Sequence, residues 1–295
     1  MGYNFTRMNK LILVLVLMFT LLVSGCSGGS GNTSGATTSI QNIGSDTIVN
    51  LALAWAERYQ ALHMDVRISV TGGGSGTGLA GLLNGTVDIA NASRQIKAEE
   101  ITAAQANGID PVEYVIARDA IAVIVHPDNP VNHLTLAQIS AIYRGELTNW
   151  SQLGGEDRPI VRLSRETNSG THVYFLEAVI QLGGANEEIF SADTLLLPSS
   201  EGIIAEVSSN PNAIGYDGLG YVTDEVKVLA VADQGSSNFV LPSVETVNSN
   251  QYPISRDLYM YTGQDISPQV KAYLEWIFSA EAQQIVVKLG FVPVK

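Results

Sequence analysis

From Ile40 to the end of the chain, short β-branched runs alternate with stretches of helical length, and that alternation points to the α/β class with largely parallel sheets. Val66-Arg67-Ile68-Ser69-Val70 alternates as a strand, Val87-Asp88-Ile89-Ala90 is a second, and Ile121-Ala122-Val123-Ile124-Val125 is the unbroken apolar run of a strand buried on both faces. Helices are predicted at 47–61, 77–84, 98–107, 135–143, 170–180, 202–209 and 268–289. The last carries an apolar stripe through Val270, Tyr273, Leu274, Ile277 and Phe278. No short internal period is present, which sets solenoids aside. A chain of this length accommodates two medium domains or one large one, and a division near residues 117–125, with a return near 252–261, fits the pattern.

The segment before Ile40 reads differently. Arg7 and Lys10 precede an apolar run from Leu11 to Val23, too short for a mature membrane span of roughly 20 residues and typical of a secretory leader. Val23-Ser24-Gly25-Cys26 then looks like a lipobox, in which the cysteine is lipidated and becomes the new N-terminus. Cys26 is the only cysteine, so no internal disulfide competes for it. Residues 27–39, rich in Ser, Gly, Thr and Asn, read as a flexible tether. The net charge is −13, and loss of Arg7 and Lys10 with the leader would make it −15, which excludes a basic nucleic-acid-binding surface. A small anion is still compatible with that charge, because local donors decide its binding and distant charge is screened beyond about 8 Å.

Three clusters of small residues each stand just before a predicted helix: Gly44-Ser45-Asp46-Thr47, the run from Gly72 to Gly78 around Ser75, and Asn168-Ser169-Gly170-Thr171. Helix N-termini leave backbone N–H groups unpaired and carry partial positive charge, while glycine permits close approach and hydroxyls add donors. Taken singly, each is also ordinary cap or turn chemistry. Three together, with Arg165 just ahead of the third, point to a tetrahedral oxyanion, for which arginine is the planar, permanently charged fork.

Better-known motifs fail on spacing. The glycine run has no lysine for a P-loop, its glycines are out of register for a dinucleotide fingerprint, and neither Ser75 nor Ser169 sits in Gly-x-Ser-x-Gly. His63, His126, His133 and His172 lack metal-ligand spacing, so neither a metal nor another cofactor is expected. Trp55 and Trp150 are expected to be core residues, and Asn32, Asn84, Asn91 and Asn149 head glycosylation sequons.

These residues resemble the phosphate-binding proteins of high-affinity ABC phosphate transporters, over essentially all of Ile40 to Lys295. The likeness rests on the three clusters in order, on Ala92-Ser93-Arg94 after Val87-Asp88-Ile89, and on Ile142-Tyr143-Arg144-Gly145 with Thr148-Asn149-Trp150. It extends to Tyr252-Pro253-Ile254-Ser255-Arg256 and Gly290-Phe291-Val292-Pro293. The resemblance implies a type II periplasmic-binding-protein fold, two α/β lobes with a ligand cleft between them. Residues 40–120 with 255–295 would form the first lobe and 121–254 the second. It implies a non-enzymatic monomer, anchored through Cys26 outside the cytoplasmic membrane, that captures inorganic phosphate and passes it to an ABC permease. Carried over by position, Ser45, Asp46, Thr47, Ser75, Ser93 and Arg94 would face the anion from the first lobe, and Arg165, Ser169, Gly170 and Thr171 from the second.

Two departures stand out. Arg94 occupies a place where the family's best-known members carry an aspartate that accepts the phosphate proton, which leaves Asp46 as the expected acceptor that rejects sulfate. Thr167 stands where an acidic partner for the arginine is common, and Glu166 is the expected substitute. Arg94 as a plain salt bridge, and Asp46 as a helix-start carboxylate, are the alternatives. At the level of function the alternatives are another oxyanion (molybdate, tungstate or sulfate), an exported phosphatase, and a surface interaction module.

Overall fold

The computed structural model describes residues 37–184 and 186–294. The leader, Cys26, Asn32 and most of the tether therefore lie outside the described residues.

In chain order, β1 (Thr38–Gly44) leads into α1 (Asp46–Leu62), followed by β2 (Val66–Thr71), α2 (Ser75–Leu83), β3 (Ile89–Ala92) and α3 (Ala98–Ala106). A long strand, β4 (Val112–Val125), is followed by β5 (His133–Thr135), α4 (Leu136–Tyr143), β6 (Val161–Arg165) and α5 (Gly170–Phe175). Then come β7 (Leu195–Leu197), α6 (Ser200–Ser209), β8 (Ala213–Gly218), β9 (Lys227–Val228), β10 (Ala230–Ala232) and α7 (Val244–Asn248). The chain closes with β11 (Ser255–Thr262), α8 (Pro268–Ile277) and α9 (Ala280–Lys288).

The strands run in the order β2-β1-β3-β11-β4-β8-β6-β7, with β1 parallel to β2 and β3, and β6 parallel to β7 and β8. The 14-residue β4 joins the two halves: residues 112–120 pair antiparallel with β11, and residues 121–125 pair with β8. The change of partner falls between Ala120 and Ile121. Ile121, Val123 and Val125 pack into a core with Tyr143, Trp150, Phe175 and Tyr216, whereas Ala122 and Ile124 pack on the other face with Leu163, Ile203 and Val207. Burial on both faces is what an unbroken apolar run requires. The other half is built on Ile40, Trp55, Ile68, Ile89, Met260 and Tyr273. Each half thus has its own core, and β4, paired with β11 along one stretch and with β8 along the next, carries the sheet from one to the other.

Helix α1 shows how sequence spacing becomes packing. Ile48, Leu51, Ala52, Trp55 and Tyr59 recur at helical spacing and are all buried, while the Trp55 indole N–H donates to the Ala282 carbonyl at 2.9 Å. Trp150 is likewise a core residue, its indole N–H donating to the Asn212 carbonyl at 3.0 Å.

Three expectations are corrected. The helix expected over 268–289 is two helices, because the Ser279 hydroxyl accepts the Ala282 N–H at 3.3 Å and starts α9 afresh. The strand expected from Val87 begins at Ile89, since Asp88 turns its carboxylate to the Gln41 N–H at 2.7 Å. Asn91, a sequon asparagine, is fully buried in β3 and offers no site for a glycan. Among the described residues no helix is long and apolar enough to cross a membrane.

Candidate functional site

The three small-residue clusters converge where the two halves meet. Ser45 is the residue ahead of α1, Gly74 the residue ahead of α2, and Ser169 the residue ahead of α5, where its hydroxyl accepts the Thr171 N–H at 3.2 Å. Each cluster lies at the C-terminal end of a strand, where parallel α/β folds gather their ligand-binding loops. From the first half, Ser45 Oγ donates to Ser93 Oγ at 2.9 Å, Ser75 Oγ lies 3.3 Å from Ser93 Oγ, and the Ser93 N–H donates to Ser75 Oγ at 3.0 Å. From the second half, Thr171 Oγ1 reaches Thr47 Oγ1 at 2.9 Å. Ser45, Thr47, Ser75, Ser93, Ser169 and Thr171 are all buried, so this is a hydroxyl cluster inside the protein.

Gly170 is needed for that approach. A Cβ there would lie 2.3 Å from Ser75 Oγ and 2.5 Å from Ser93 Oγ, closer than a methyl group tolerates. The glycine run makes a second junction: the Gly76 N–H donates to the Asn168 carbonyl at 3.1 Å, and the Asn168 amide donates to the Gly73 carbonyl at 3.0 Å. Gly74 lies in the left-handed region at φ 91°, and a Cβ on it would press on the Asn168 carbonyl at 2.8 Å.

Arg165, on β6 with its side chain 1% exposed, is tied to the cluster through Asp46, which stands between Ser45 and Thr47. Its Nη2 donates to Asp46 Oδ2 at 2.8 Å and to the Pro198 carbonyl at 2.9 Å, its Nη1 to Ser200 Oγ at 2.9 Å, and its Nε to the Leu197 carbonyl at 3.4 Å. Asp217, fully buried, lies 3.7 Å away. Those four bonds use four of the five guanidinium N–H groups, so an oxyanion bound to Arg165 takes the last or displaces Asp46. Asp46 Oδ1 accepts the Gly73 N–H at 2.9 Å, which places this carboxylate between the glycine run and the arginine. The acidic partners of Arg165 are therefore Asp46 and Asp217, not Glu166, which is exposed on the loop beyond β6.

The structure does not bring Arg94 to this cluster. Its Nη1 and Nη2 donate to the two oxygens of Glu100 at 2.8 and 2.7 Å, and Nη1 also donates to the Gln95 carbonyl. A bidentate arginine–carboxylate fork formed six residues away fixes the guanidinium at the start of α3.

Four residues that the sequence left without a role complete the site: Arg256, Asp119, Asp217 and Ser200. Arg256 Nη2 donates to Thr171 Oγ1 at 2.9 Å and meets Asp119 Oδ2 at 3.1 Å. Burial pushes the Asp119 carboxyl up to about 6, against the opposing pull of Arg256, and burial raises Asp217 against the pull of Arg165. Arg256 already lay within a family-like motif. Asp217 stands near the end of the apolar β8 and Asp119 directly before the apolar run of β4, and a charge at such places was the available signal.

A two-lobed α/β chain whose halves meet over buried hydroxyls and a guanidinium is a solute-binding architecture, and the PBP superfamily domain model matches residues 31–281. The phosphate-binding protein PstS of Pseudomonas aeruginosa is 33% identical over 277 residues, covering 88% of this chain and 84% of that protein. PstS of Bacillus subtilis is 30% identical over 98% of this chain and 95% of its own. Among solved structures, a candidate phosphate ABC transporter substrate-binding protein with bound phosphate from Clostridium perfringens superposes with a TM-score of 0.79 at 36% identity, covering 88% of this chain and all of that one. The chain belongs to the phosphate-binding protein family of ABC phosphate transporters.

Proposed function

We propose that this protein captures inorganic phosphate between its two lobes and delivers it to an ABC importer, without covalent chemistry. The observation that carries the reading is the convergence of Ser45, Thr47, Ser75 and Ser93 from one half with Arg165, Ser169, Gly170 and Thr171 from the other. Hydroxyls rotate to fit a tetrahedral anion, Arg165 supplies full charge, and the helix starts behind them add partial charge. Because the donors come from both halves, an anion that touches all of them favours the arrangement in which the lobes meet. The lobes on this reading are residues 40–120 with 255–295, and 121–254. Arg94 is left out of the binding set, and Asp46 holds Arg165 while offering its remaining lone pairs to the proton of hydrogen phosphate.

The leader and lipobox favour export and lipidation at Cys26, so that the protein works on the outer face of the cytoplasmic membrane next to its permease. Calorimetry on purified protein stripped of carried-over ligand, with phosphate, sulfate, molybdate and tungstate in parallel, tests the ligand. One-to-one phosphate binding with sulfate ignored is expected. Preference for another oxyanion would overturn phosphate as the ligand, and absence of binding would overturn the transport reading. Mass spectrometry of the membrane-extracted protein tests the anchor, the expected result being a lipid-modified N-terminal Cys26.

A further inference from the structure

Arg256 enters the hydroxyl cluster from β11, the neighbour of the long strand β4 that joins the halves, and its side chain is 3% exposed. Its Nη1 donates to the Ser93 carbonyl at 2.9 Å, while Nη2 lies 2.9 Å from Thr171 Oγ1, 3.3 Å from Thr47 Oγ1 and 3.1 Å from Asp119 Oδ2. One guanidinium thus touches both halves and three of the hydroxyl-bearing residues assigned to phosphate. A guanidinium only donates, and the two Nη2 hydrogens are shared among the two threonine oxygens and Asp119 Oδ2. With 2.9 Å between those oxygens, one threonine hydroxyl donates to the other, and the second hydroxyl hydrogen is free to turn toward an anion. Arg256 thus holds both threonine oxygens as acceptors, and either hydroxyl can be the one that turns to an anion.

The charge around it is unusual for an anion site. Among the described residues, the cations that Asp46, Asp119 and Asp217 pair with are Arg165 and Arg256, so with every group ionised the carboxylates outnumber the cations before any anion arrives. Asp119 is fully buried.

On the reading that the site takes phosphate, we propose that Arg256 is a second cationic residue of the oxyanion site, and that Asp119 sets how much of its charge the anion meets. Ionised, Asp119 cancels the guanidinium at 3.1 Å; protonated, it leaves that charge to the anion. The groups facing Asp119 are Arg256 on β11, Asp217 on β8, Tyr174 on α5 and Tyr252 ahead of β11. Burial pushes Tyr174 up to about 12 and raises Tyr252 further, so neither ionises near neutrality. Asp119 changes charge around pH 6, and Asp217, which burial also raises, adds to its upward shift.

The test is calorimetry of phosphate and sulfate from pH 5 to pH 8 on the wild type, Asp119→Asn, Arg256→Gln and the double variant. Phosphate's own titration is common to all four proteins and drops out of the affinity ratios. Asp119→Asn should match the wild type at pH 5 and bind phosphate more tightly at pH 8, by up to about tenfold, the scale of one charge-assisted interaction. Arg256→Gln should bind about tenfold more weakly at pH 5, on the same scale. The double variant removes both charges and leaves no buried ion unpaired, so it keeps the test open if Arg256→Gln fails to fold; it should bind weakly with no divergence across pH beyond the ligand's own. A ratio of Asp119→Asn to wild type that stays constant with pH, or a double variant that binds like the wild type, overturns the proposal. A wild type that ignores phosphate but binds sulfate with this pH dependence would instead overturn the phosphate reading and leave the charge pair standing.

Discussion

Arg165 and Arg94 are both largely buried guanidiniums bonded to a carboxylate, yet one pair ties two lobes together and the other ties a strand end to the next helix. The Arg165–Asp46 bond spans 119 residues of sequence and joins β6 to the start of α1. The Arg94–Glu100 fork spans six residues and closes within one loop, where Glu100 also accepts the Lys97 N–H at 2.8 Å. Chemically the pairs are alike. What separates them is the neighbourhood: Arg165 adjoins buried hydroxyls and a second carboxylate, whereas Arg94 meets only its own loop and helix. An arginine's value to an anion site therefore depends on which competing acceptor its geometry has already satisfied.

The sharpest way to break this comparison is to remove Arg165. Arg165→Gln should weaken phosphate binding about a hundredfold, because a buried charged donor is lost and the anion meets Asp46 and Asp217 without their cation. Calorimetry reads this directly, and a change below threefold would show that Arg165 serves the fold and not the anion. Asp46→Asn attacks the same pair from the other side. It should leave phosphate binding within about tenfold while admitting sulfate, since an anion lacking a proton would no longer face the Asp46 carboxylate. Sulfate rejection left intact would remove Asp46 from the selectivity argument.

The fold was readable because its signals are local. The run Ile121-Ala122-Val123-Ile124-Val125 is apolar at every position since both faces of β4 are covered, and the stripe of α1 follows from helical spacing. The hydroxyl cluster was partly readable for the same reason: Ser45, Ser75 and Ser169 sit at or beside helix starts, which sequence marks with small polar residues. The pairing of charges was not. Nothing near Arg165 in sequence announces Asp46, and Glu166, its immediate neighbour, turned out to face solvent. Arg256 and Asp119 meet only because β11 returns antiparallel beside β4 in register, Arg256 opposite Asp119. Register is set jointly by the burial pattern of both strands and the geometry that connects them, and no local run of either strand displays it alone.

The smallest expected effect sharpens the contrast most. Arg94→Gln should leave phosphate affinity within about twofold, since no bond of Arg94 reaches the hydroxyl cluster, and should lower stability by about 1 kcal/mol, the upper range for a partly exposed pair of good geometry. Its pH dependence separates the two roles. Burial works to raise the Glu100 carboxyl, but the Arg94 fork, the Lys97 N–H and their charges outweigh it and hold the group below its ordinary value near 4.5. A carboxyl lowered in the folded state contributes stability above its unfolded value and loses it as pH falls through the folded one. The difference in Tm between Arg94→Gln and the wild type should therefore be full at pH 7 and shrink once pH drops below about 4.5. A difference that persists in acid would mean that Arg94 acts through packing of its aliphatic stem, and a loss of phosphate affinity larger than tenfold would return Arg94 to the site.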